Sequence, residues 1–443
     1  MPRRLARGRS RPQPAPVGRG RAYFCRALTL LYNFALACYG LLLRLLAPFV
    51  PKARTWTEGR RGLLRHICTT LATDTAPRVW FHCASLGEFE QGRPLLEAYR
   101  RRYPGTKLVL TFFSPSGYEI RRHWPGADYV FYLPLDSRAN ARAFLAAVQP
   151  QLVVFVKYEF WYHYLTQAAG RGIPTVLVSA IFRPEQVFFQ PWGGFYRRIL
   201  RAFSHIFTQN ETSAALLKNI GLTGVSVAGD TRFDTVAATA AAPPATLPIV
   251  QAFVADWAPV LVAGSLWPDD LPALIPLVSR HLDQLRVIVA PHEIGEPTLL
   301  AVEAAWPGQV VRYSRATPAT AATARILLID NIGLLSQLYR FGQYAYVGGA
   351  FGKGLHNTLE AAAFGLPLFF GPNYGKFQEA VELVRRHLAY PVHNADELRL
   401  AFDRLWHDED LRLRLQDELL KYVHAQAGAT RRIMQWLEGE MVK

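Results

Sequence analysis

The sequence predicts an α/β protein with two Rossmann-like domains facing a cleft and an N-terminal membrane-associated helix. Short apolar runs of strand type alternate with helical patterns from Arg54 onward, which is typical of parallel sheets covered on both faces. A proline-rich stretch of small residues, 237–248, divides the alternation into two series and reads as a linker. The 443 residues, 50% of them apolar and 19% charged, suffice for two globular domains.

Positive charge is concentrated at the N-terminus. Of the 50 Lys and Arg residues, eleven lie within residues 1–54, which contain no Asp or Glu. The remaining 389 residues carry 39 basic and 34 acidic side chains, so they contribute only +5 of the total net charge of +16. The basic composition therefore does not indicate a nucleic-acid partner for the globular part.

The spacing of cysteine and histidine argues against a metal centre and against a disulfide framework. The four cysteines form no C-x-x-C pair, and the twelve histidines form no H-x-H or H-x-x-x-H pair. These patterns predict a reducing compartment and no bound metal.

The N-terminal segment predicts a disordered basic extension, 1–22, followed by a membrane-anchor helix, 23–54. Residues 1–22 are rich in Arg, Pro and Gly and have no hydrophobic period. Only 17 residues separate Arg26 from Arg44, whereas a bilayer span needs about 20. Because cations flank both ends, we expect a helix lying in the cytoplasmic face of a membrane rather than a span. A buried core helix is the alternative.

Two series of strands follow in order along the chain. The first domain, 55–236, has predicted strands at Val79–Ala84, Lys107–Phe113, Tyr129–Tyr132, Leu152–Val156, Thr175–Ser179, His205–Thr208 and Ser226–Ala228. The second domain, 249–443, has predicted strands at Val260–Ala263, Arg286–Ala290, Ile326–Ile329, Tyr344–Val347 and Leu368–Phe370, and closing helices in Ala395–Leu437. Ligands of such domains bind at the carboxyl ends of the strands.

A glycine-rich loop follows the strand Tyr344–Val347 and opens a helix predicted at Leu359–Phe364. Gly348 and Gly349 let the backbone turn sharply and let a ligand lie close to it. The free N–H groups at the start of the helix suit a phosphate. The spacing is neither G-x-G-x-x-G nor a Walker loop, so the two commonest phosphate motifs are excluded.

Two glutamates lie in the first turn of predicted helices, and each has two interpretations. Glu360 can form a capping box with Asn357, or its carboxylate can accept two hydroxyls of a ribose. Glu88 can form a capping box with Ser85, or it can act as a general base at the mouth of the cleft. The positive end of the helix dipole would keep Glu88 ionised, as a base must be.

Further candidates lie at other strand ends. The hydroxyls of Ser114 and Ser116 with Gly117 suit a polyhydroxy or anionic ligand, although an ordinary capped turn has the same residues. Glu159, beside Trp161 after an apolar strand, is either a site residue or a solvated helix start.

Two loops of the second domain and one aromatic segment complete the candidates. The loops holding Ser265 and Pro291-His292 face the same edge as the glycine-rich loop, so their convergence is better evidence than any one of them. The segment Val178–Phe203 interleaves aromatic residues with arginines, which suits a phosphorylated lipid at a membrane surface or single-stranded nucleic acid. A core helix with one wet face is at least as good an interpretation.

Several motifs together resemble the family of transferases for 3-deoxy-D-manno-octulosonic acid (Kdo), which act in lipid A biosynthesis. The resemblance extends from about Trp80 to Phe377, and the apolar segment in front also fits. The matching pieces are Ala84–Glu88, Ser114–Gly117, Glu159–Trp161, Gly229–Asp234, Ala263–Ser265, Asp330–Gly333, Gly352–Pro367 and Gly371–Phe377.

The resemblance implies an inverting glycosyltransferase of the B-type fold that needs no metal or cofactor. It would move Kdo from CMP-Kdo to a lipid A precursor at the cytoplasmic face of the inner membrane, with no role for nucleic acid. Glu88 falls on the proposed general base, and Glu159 falls on a second acidic position near the acceptor. Ser114, Ser116 and Gly117 fall in a loop of the acceptor domain. The second domain would hold CMP. The implied donor-binding residues are Ser265, Pro291, His292, Gly348, Gly349, His356, Asn357 and Glu360.

The chain departs from the family pattern at two places near the donor. Many members have P-R-H-P where this chain has Pro291-His292-Glu293, so an arginine is missing. Many members also have a glutamate where this chain has Leu334. A different B-type glycosyltransferase, using a UDP-sugar on a membrane acceptor, is therefore the alternative function.

Overall fold

The computed structural model describes residues 19–256 and 258–441, which form two compact units. The first unit ends at Ala228 and includes the chain again from Leu437, whereas the second unit is Gly229–Trp436. The extension predicted at 1–22 lies, up to residue 18, outside the described residues. The stretch predicted as a linker, 237–248, contains the end of one helix of the second unit and the start of the next.

The first unit is built on a seven-stranded sheet. Its strands are all parallel and lie in the order β3-β2-β1-β4-β5-β6-β7. The strands are Arg78–Cys83 (β1), Lys107–Phe112 (β2), Tyr129–Tyr132 (β3), Pro150–Val156 (β4), Thr175–Ala180 (β5), His205–Thr208 (β6) and Val225–Val227 (β7). Central strands such as β1 are buried along their whole length, because helices cover both faces of a parallel sheet.

The described residues of the first unit form nine α-helices. They are Arg19–Leu46 (α1), Pro51–Glu58 (α2), Leu63–Leu71 (α3), Leu86–Arg102 (α4), Pro115–Arg121 (α5), Arg138–Val148 (α6), Tyr162–Gly170 (α7), Gly194–Leu200 (α8) and Glu211–Asn219 (α9). Among the described residues, the core between helices and sheet is rich in fully buried aromatic side chains, including Trp80, Phe144, Phe155 and Tyr164.

The second unit is also built on a seven-stranded parallel sheet, in the order β10-β11-β9-β8-β12-β13-β14. Its strands are Val260–Leu266 (β8), Arg286–Pro291 (β9), Val310–Arg312 (β10), Ile326–Leu328 (β11), Tyr344–Val347 (β12), Leu368–Phe370 (β13) and Ala389–Pro391 (β14). Neither β10 nor β14 is predicted from the sequence. Both are three-residue strands at an edge of the sheet, too short for a periodic pattern.

The helices of the second unit begin at the unit boundary and end with the chain. They are Thr231–Ala241 (α10), Pro248–Phe253 (α11), Leu271–His281 (α12), Glu296–Ala305 (α13), Pro318–Thr323 (α14), Leu335–Leu338 (α15), Leu359–Ala362 (α16), Gln378–Arg385 (α17), Ala395–His407 (α18), Glu409–Gln426 (α19) and Ala429–Met441 (α20, whose last residues belong to the first unit). The prediction of closing helices at the C-terminus is confirmed.

The N-terminal helix α1 lies against the first unit along much of its length. The Tyr32 hydroxyl donates to a carboxylate oxygen of the buried Asp136 at 2.6 Å, and Asn33 Oδ1 lies 2.7 Å from His163 Nε2. Two turns further on, Gly40 is buried against the first unit. The helix ends at Leu46, before the predicted residue 54, because Pro48 and Pro51 cannot continue it.

Candidate active site

Each sheet reverses its strand order at one point, and the predicted site residues gather at these two points. In the first unit the reversal lies between β1 and β4, and in the second it lies between β8 and β12. The connections run in opposite directions from such a pair of strands, so their carboxyl ends leave a crevice in which α/β proteins bind ligands.

Glu88 lies in the first turn of α4, directly after β1. Its Oε2 accepts hydrogen bonds from the Ser85 backbone N–H, at 3.1 Å, and from the Ser85 hydroxyl. The interpretation as a cap of the helix is therefore correct in its geometry. Within the described residues Oε1 has no hydrogen-bond donor, and the side chain is half-buried. One carboxylate oxygen is thus fixed by the helix, and the other is free to accept a proton.

Glu159 follows β4 and belongs to a buried polar network. Its Oε2 lies 2.8 Å from His82 Nε2 and accepts the Trp161 indole N–H at 2.5 Å. On the other side of the ring, His82 Nδ1 lies 2.8 Å from the Thr111 hydroxyl oxygen and 3.1 Å from the Thr111 carbonyl oxygen. Glu159 is only 7% exposed, so the solvated helix start considered from the sequence is wrong.

The loop with Ser114, Ser116 and Gly117 lies beside the first turn of α4. Ser114 caps α5: its hydroxyl oxygen accepts the Ser116 N–H and lies 3.0 Å from the Ser116 hydroxyl. The Ser114 N–H donates to the Ala84 carbonyl at 2.7 Å, which joins this loop to the end of β1. A Cβ at Gly117 would collide with the Phe112 ring, so the helix can start this close to the strand only with glycine.

Backbone strain occurs at the carboxyl ends of two of these strands. Lys157 has φ +66 directly after β4, and Ser265 has φ +53 near the end of β8. A left-handed conformation is unfavourable for residues with a Cβ and is typically retained at functional sites. The strain therefore marks the crevice edge of both sheets.

In the second unit the glycine-rich loop is held by a buried aspartate. Asp270 accepts the Gly349 N–H at 2.9 Å, the Trp267 N–H at 2.8 Å and the Tyr346 hydroxyl at 3.0 Å. Burial raises the pKa of this carboxyl, and its three donors oppose that effect. Asp270 was not predicted as a site residue, although the two consecutive aspartates after β8 were a signal for it.

The glycines of this loop are sterically required. A Cβ at Gly348 would collide with the Ser265 carbonyl oxygen and with Asp270. Gly349 has φ +95, and a Cβ there would collide with the Gly354 carbonyl oxygen. The end of β8 and the loop that follows β12 therefore touch through their backbones. The Gly348 and Gly349 N–H groups are both donated within the protein, to the Gly264 carbonyl at 2.9 Å and to Asp270.

Three aromatic rings stack beside the glycine-rich loop. The His292 ring stacks on Trp267, at 4.7 Å between centroids, and on His356, at 4.2 Å, while the Trp267 and His356 centroids lie 6.3 Å apart. The Trp267 indole N–H donates to His356 Nε2 at 2.9 Å, and Lys353 Nζ lies 4.0 Å from the centroid of the Trp267 ring. Burial and the neighbouring His292 lower the pKa of His356 to about 4, so this ring is neutral at pH 7 and can accept the bond.

Asn357 and Glu360 lie near the same loop and contact each other. The Asn357 side-chain oxygen accepts the Leu359 N–H at 3.2 Å, and its amide donates to Glu360 Oε1 at 3.0 Å. Asn357 thus caps the first turn of the helix through its side chain and also contacts the Glu360 carboxylate. Pro291 ends β9, and the next N–H, that of His292, donates to the Leu266 carbonyl at 2.9 Å.

The aromatic segment Val178–Phe203 is mostly core. Phe182, Phe188 and Phe195 are at most 5% exposed. Phe182 and Phe188 pack on each other and on Phe160, and Phe195 packs on Tyr162. Its exposed large side chains include Trp192, at 65% exposure. The prediction of an extended aromatic lipid surface here is therefore wrong, and the core helix with a wet face is the better description. Within residues 19–256 and 258–441, no three His, Cys, Asp or Glu side chains are grouped as a metal site.

Comparison with known proteins connects these two crevices to one family. The family model described as 3-deoxy-D-manno-octulosonic-acid transferase (kdotransferase) matches residues 56–235. A 3-deoxy-D-manno-octulosonic acid transferase of Chlamydophila psittaci is 28% identical over 322 residues, 71% of this chain and 73% of the relative. The transferase of the same name from Bordetella pertussis is 27% identical over 386 residues, 82% of this chain and 87% of the relative. These relatives are Kdo transferases, which confirms the resemblance predicted from the sequence.

Solved structures agree with the predicted B-type glycosyltransferase fold. The UDP-GlcNAc 2-epimerase of Neisseria meningitidis superimposes with a TM-score of 0.59 at 13% identity, over 82% of this chain and 100% of that one. Acinetobacter baumannii MurG superimposes with a TM-score of 0.53 at 14% identity, over 82% and 100%. At such identities the likeness concerns the fold alone, and it confirms the predicted fold class.

The structure adds four residues to the candidate site predicted from the sequence. His82 and Asp270 orient predicted site residues, and Trp267 and Lys353 extend the ring stack at His292. His82 gave one signal in the sequence, since it is the polar residue in an otherwise apolar strand directly before Ala84–Glu88. Lys353 supplies a cation close to the place where many members have an arginine.

Proposed function

We propose that the protein is an inverting glycosyltransferase that moves Kdo from CMP-Kdo to the lipid A precursor. The observation that carries the proposal is the half-buried carboxylate of Glu88, fixed through one oxygen at a helix N-terminus with the other oxygen free. A general base needs this combination of fixed position, ionisation and an available lone pair.

In the proposed mechanism Glu88 takes the proton of an acceptor hydroxyl as that oxygen attacks the anomeric carbon of Kdo. The carbon–oxygen bond to the CMP phosphate breaks on the opposite face of the sugar, which inverts the configuration. Glu159 carries a second negative charge near the same strand ends, held by His82 and Trp161, and we assign it to orientation of the acceptor. Ser114 and Ser116 offer hydroxyls to the same sugar.

The second unit supplies the donor site in this proposal. CMP leaves with a negative phosphate, and the backbone N–H groups between Ala350 and Asn357 that are not donated within the loop would stabilise that charge. Lys353 adds a positive charge beside the stacked His292 and His356 rings. The carboxylate of Glu360 is the candidate acceptor for the ribose hydroxyls. None of these steps needs a metal or a cofactor.

The helix α1 supports a location at a membrane surface, which we propose is the cytoplasmic face of the inner membrane. Ala27–Leu46 is long and apolar enough to cross a bilayer by length and composition. However, α1 contacts the first unit from Tyr32 to Gly40, so lipid cannot surround these turns. Its other face exposes large apolar side chains, namely Leu30, Leu31, Phe34, Leu41, Leu42 and Leu45. This geometry favours a helix lying in the interface over a helix spanning the membrane.

The decisive experiment is transfer by the purified protein from CMP-Kdo, generated in situ, to a tetraacylated lipid A precursor, read by mass spectrometry. We expect the mass of the acceptor to increase by Kdo residues, and the number of residues added will show whether the enzyme is monofunctional. UDP-N-acetylglucosamine serves as the competing donor. Transfer from the UDP-sugar, with none from CMP-Kdo, would replace the proposal by the alternative glycosyltransferase.

The role of Glu88 is tested by Glu88→Gln, which removes the base with little change in shape. We expect turnover to fall by about 10³-fold or more while CMP-Kdo binding is unchanged. Glu97→Gln is the matched control, because Glu97 is exposed on the same helix α4. Near-normal turnover of Glu88→Gln would show that another group takes the proton.

A further inference from the structure

A cavity of about 830 Å³ lies in the first unit between the end of α1, the segment from Arg54 to Arg65 and the Pro134–Asn140 loop. Among the described residues that line this cavity, five are arginines and one, Glu58, is acidic. The arginines are Arg44, Arg54, Arg60, Arg61 and Arg65. The lining therefore carries a net charge of +4, which is unfavourable unless an anion compensates it.

The arginines of the cavity have two different functions in the fold. Arg60 is half-buried and donates to the carbonyls of Trp56, Leu133 and Phe113, so it is part of the structure. In contrast, Arg44, Arg61 and Arg65 form no ion pair or side-chain hydrogen bond with any residue that the structure describes. Their guanidinium groups are exposed and remain available to a ligand.

Two uncharged polar groups of the lining also lack partners. The Trp56 indole N–H and the Thr57 hydroxyl are buried, and neither has a hydrogen-bond partner among the described residues. Trp56 is only 7% exposed, so leaving its indole N–H without a hydrogen bond costs free energy. Unpaired donors beside unpaired arginines point to an absent group rich in acceptor oxygens, as a phosphate is.

The surroundings of the cavity indicate that this phosphate belongs to a lipid. The turn between α1 and α2 forms one edge, through Ala47 and Pro48. Next to it, Phe49 is 82% exposed and Leu45 is 62% exposed. Large exposed apolar side chains bordering a cationic cavity suit a molecule with a charged head and acyl chains. A soluble phosphate would gain nothing from them.

The cavity is connected to the edge of the sheet where Glu159 and Ser114 lie. Arg60 donates to the carbonyl of Phe113, the residue before Ser114, at 2.7 Å. The Phe113 ring packs on Trp161 at 4.7 Å between centroids, and Trp161 donates to Glu159. A lipid held in the cavity would thus have its sugar directed to the proposed acceptor site, because one layer of side chains separates the two.

We infer that this arginine-lined cavity binds a phosphate group of the glycolipid acceptor and so sets the position of its reacting sugar. The inference rests on the proposed function. It makes the first unit selective for phosphorylated acceptors, and the specificity lies outside the catalytic groups. Bulk anionic phospholipid is the competing occupant.

The test is the double variant Arg61→Gln/Arg65→Gln, which removes two partnerless charges from the cavity rim. The control is Arg101→Gln/Arg142→Gln, which removes the same charge from exposed positions of the first unit outside the lining. Binding is measured by flotation with phosphatidylcholine vesicles that contain the acceptor with or without its phosphates. Acceptor KM and kcat are measured with the same two acceptors.

For the phosphorylated acceptor, we expect the rim variant to bind about tenfold or more weakly and its KM to rise by a similar factor. Its kcat and its affinity for CMP-Kdo should be nearly unchanged. With the dephosphorylated acceptor, wild type and rim variant should be equally weak. Equal losses with both acceptors, or equal losses in the control variant, would overturn the inference. So would an equal loss on phosphatidylglycerol vesicles that lack acceptor, since bulk phospholipid would then be the occupant.

The vesicle measurement separates this inference from the proposed function, because binding requires no transfer. If the wild type bound phosphorylated acceptor through the arginines but transferred no Kdo, the cavity assignment would stand and the donor assignment would fail. If transfer occurred but binding ignored the phosphate, the reverse would hold.

Discussion

The crevice edge of the first sheet presents side-chain chemistry, whereas that of the second presents backbone and aromatic surface. In the first unit Glu88 and Glu159 follow the two strands at which the order reverses, and Glu159 is held by the buried His82. In the second unit the same topological position carries glycines, and its buried carboxylate, Asp270, is occupied in fixing the loop backbone. The same fold thus provides a reactive edge in one unit and a binding edge in the other.

The contrast between the two units shows that the reversal of strand order determines where a ligand can bind, but not which chemistry the site performs. Helix N-termini meet both edges, so both favour negative charge. In the first unit that charge is the protein's own carboxylate, and in the second it would be the phosphate of a ligand. Variants at the two edges should therefore fail in different ways.

After Glu88→Gln, the largest effect is expected for Glu159→Gln at the reactive edge. Removing this charge should lower turnover by about 100-fold and leave the dissociation constant of CMP-Kdo within about twofold. Steady-state kinetics and calorimetric titration with CMP-Kdo measure the two quantities, with Glu97→Gln as the control. A weakened donor affinity at normal turnover would break the comparison, since it would place a binding function at the reactive edge.

The converse failure is expected for Gly349→Ala at the binding edge. The added Cβ would collide with the Gly354 carbonyl at a backbone φ of +95, so the loop must shift away from its N–H geometry. Donor affinity should fall by about 10- to 100-fold. Gly308→Ala is the control, because Gly308 also has a positive φ, +73, but no atom within 4 Å of its Cβ position. Equal donor affinity in both variants would mean that the loop does not hold the nucleotide.

A smaller effect on turnover is expected at His82, a positioning residue. His82→Leu removes the polar group that faces Glu159 Oε2 and should lower kcat by about tenfold, with a smaller change in acceptor KM. His82→Gln can restore a hydrogen bond to Glu159 and should recover part of the loss. Circular dichroism and thermal melting establish that both variants fold. If the two folded variants were equally impaired, the hydrogen bond to Glu159 would not explain the role of His82.

The smallest effect is a dependence of stability on pH at the ring stack. Burial lowers the pKa of His356 from 6.5 to about 4. Between these two pH values the His356 ring is protonated in the unfolded chain and neutral in the folded protein. His356 therefore lowers stability progressively as the pH falls from about 6.5 towards 4 and has no such effect above that range. Melting curves at pH 7.5 and 5.5 should show a smaller acid loss for His356→Gln than for wild type. His123→Gln is the control, because His123 is exposed. If His356→Gln lost as much stability as wild type between pH 7.5 and 5.5, His356 would be excluded as the source of the pH dependence.

Much of the fold and part of the site are readable from local sequence. Buried parallel strands are continuous apolar runs, so β1, β4, β8 and β12 are located to within a few residues. The edge strands β10 and β14 are missed because three residues carry no period. The aromatic segment Val178–Phe203 is misinterpreted because composition does not distinguish a ring in the core from a ring at a membrane.

Local sequence was sufficient to locate the alternating strands and helices, the glycine-rich loop and the two first-turn glutamates. These depend on short-range sterics and on the burial of neighbouring apolar residues, which act within one element. Three features could be seen only in the tertiary structure. His82 lies within hydrogen-bond distance of Glu159, 77 positions away, and Asp270 holds the Gly349 N–H. The third is the cavity lined by five arginines. Such contacts follow from the order of the strands and the docking of α1, because these bring together groups that no local pattern connects.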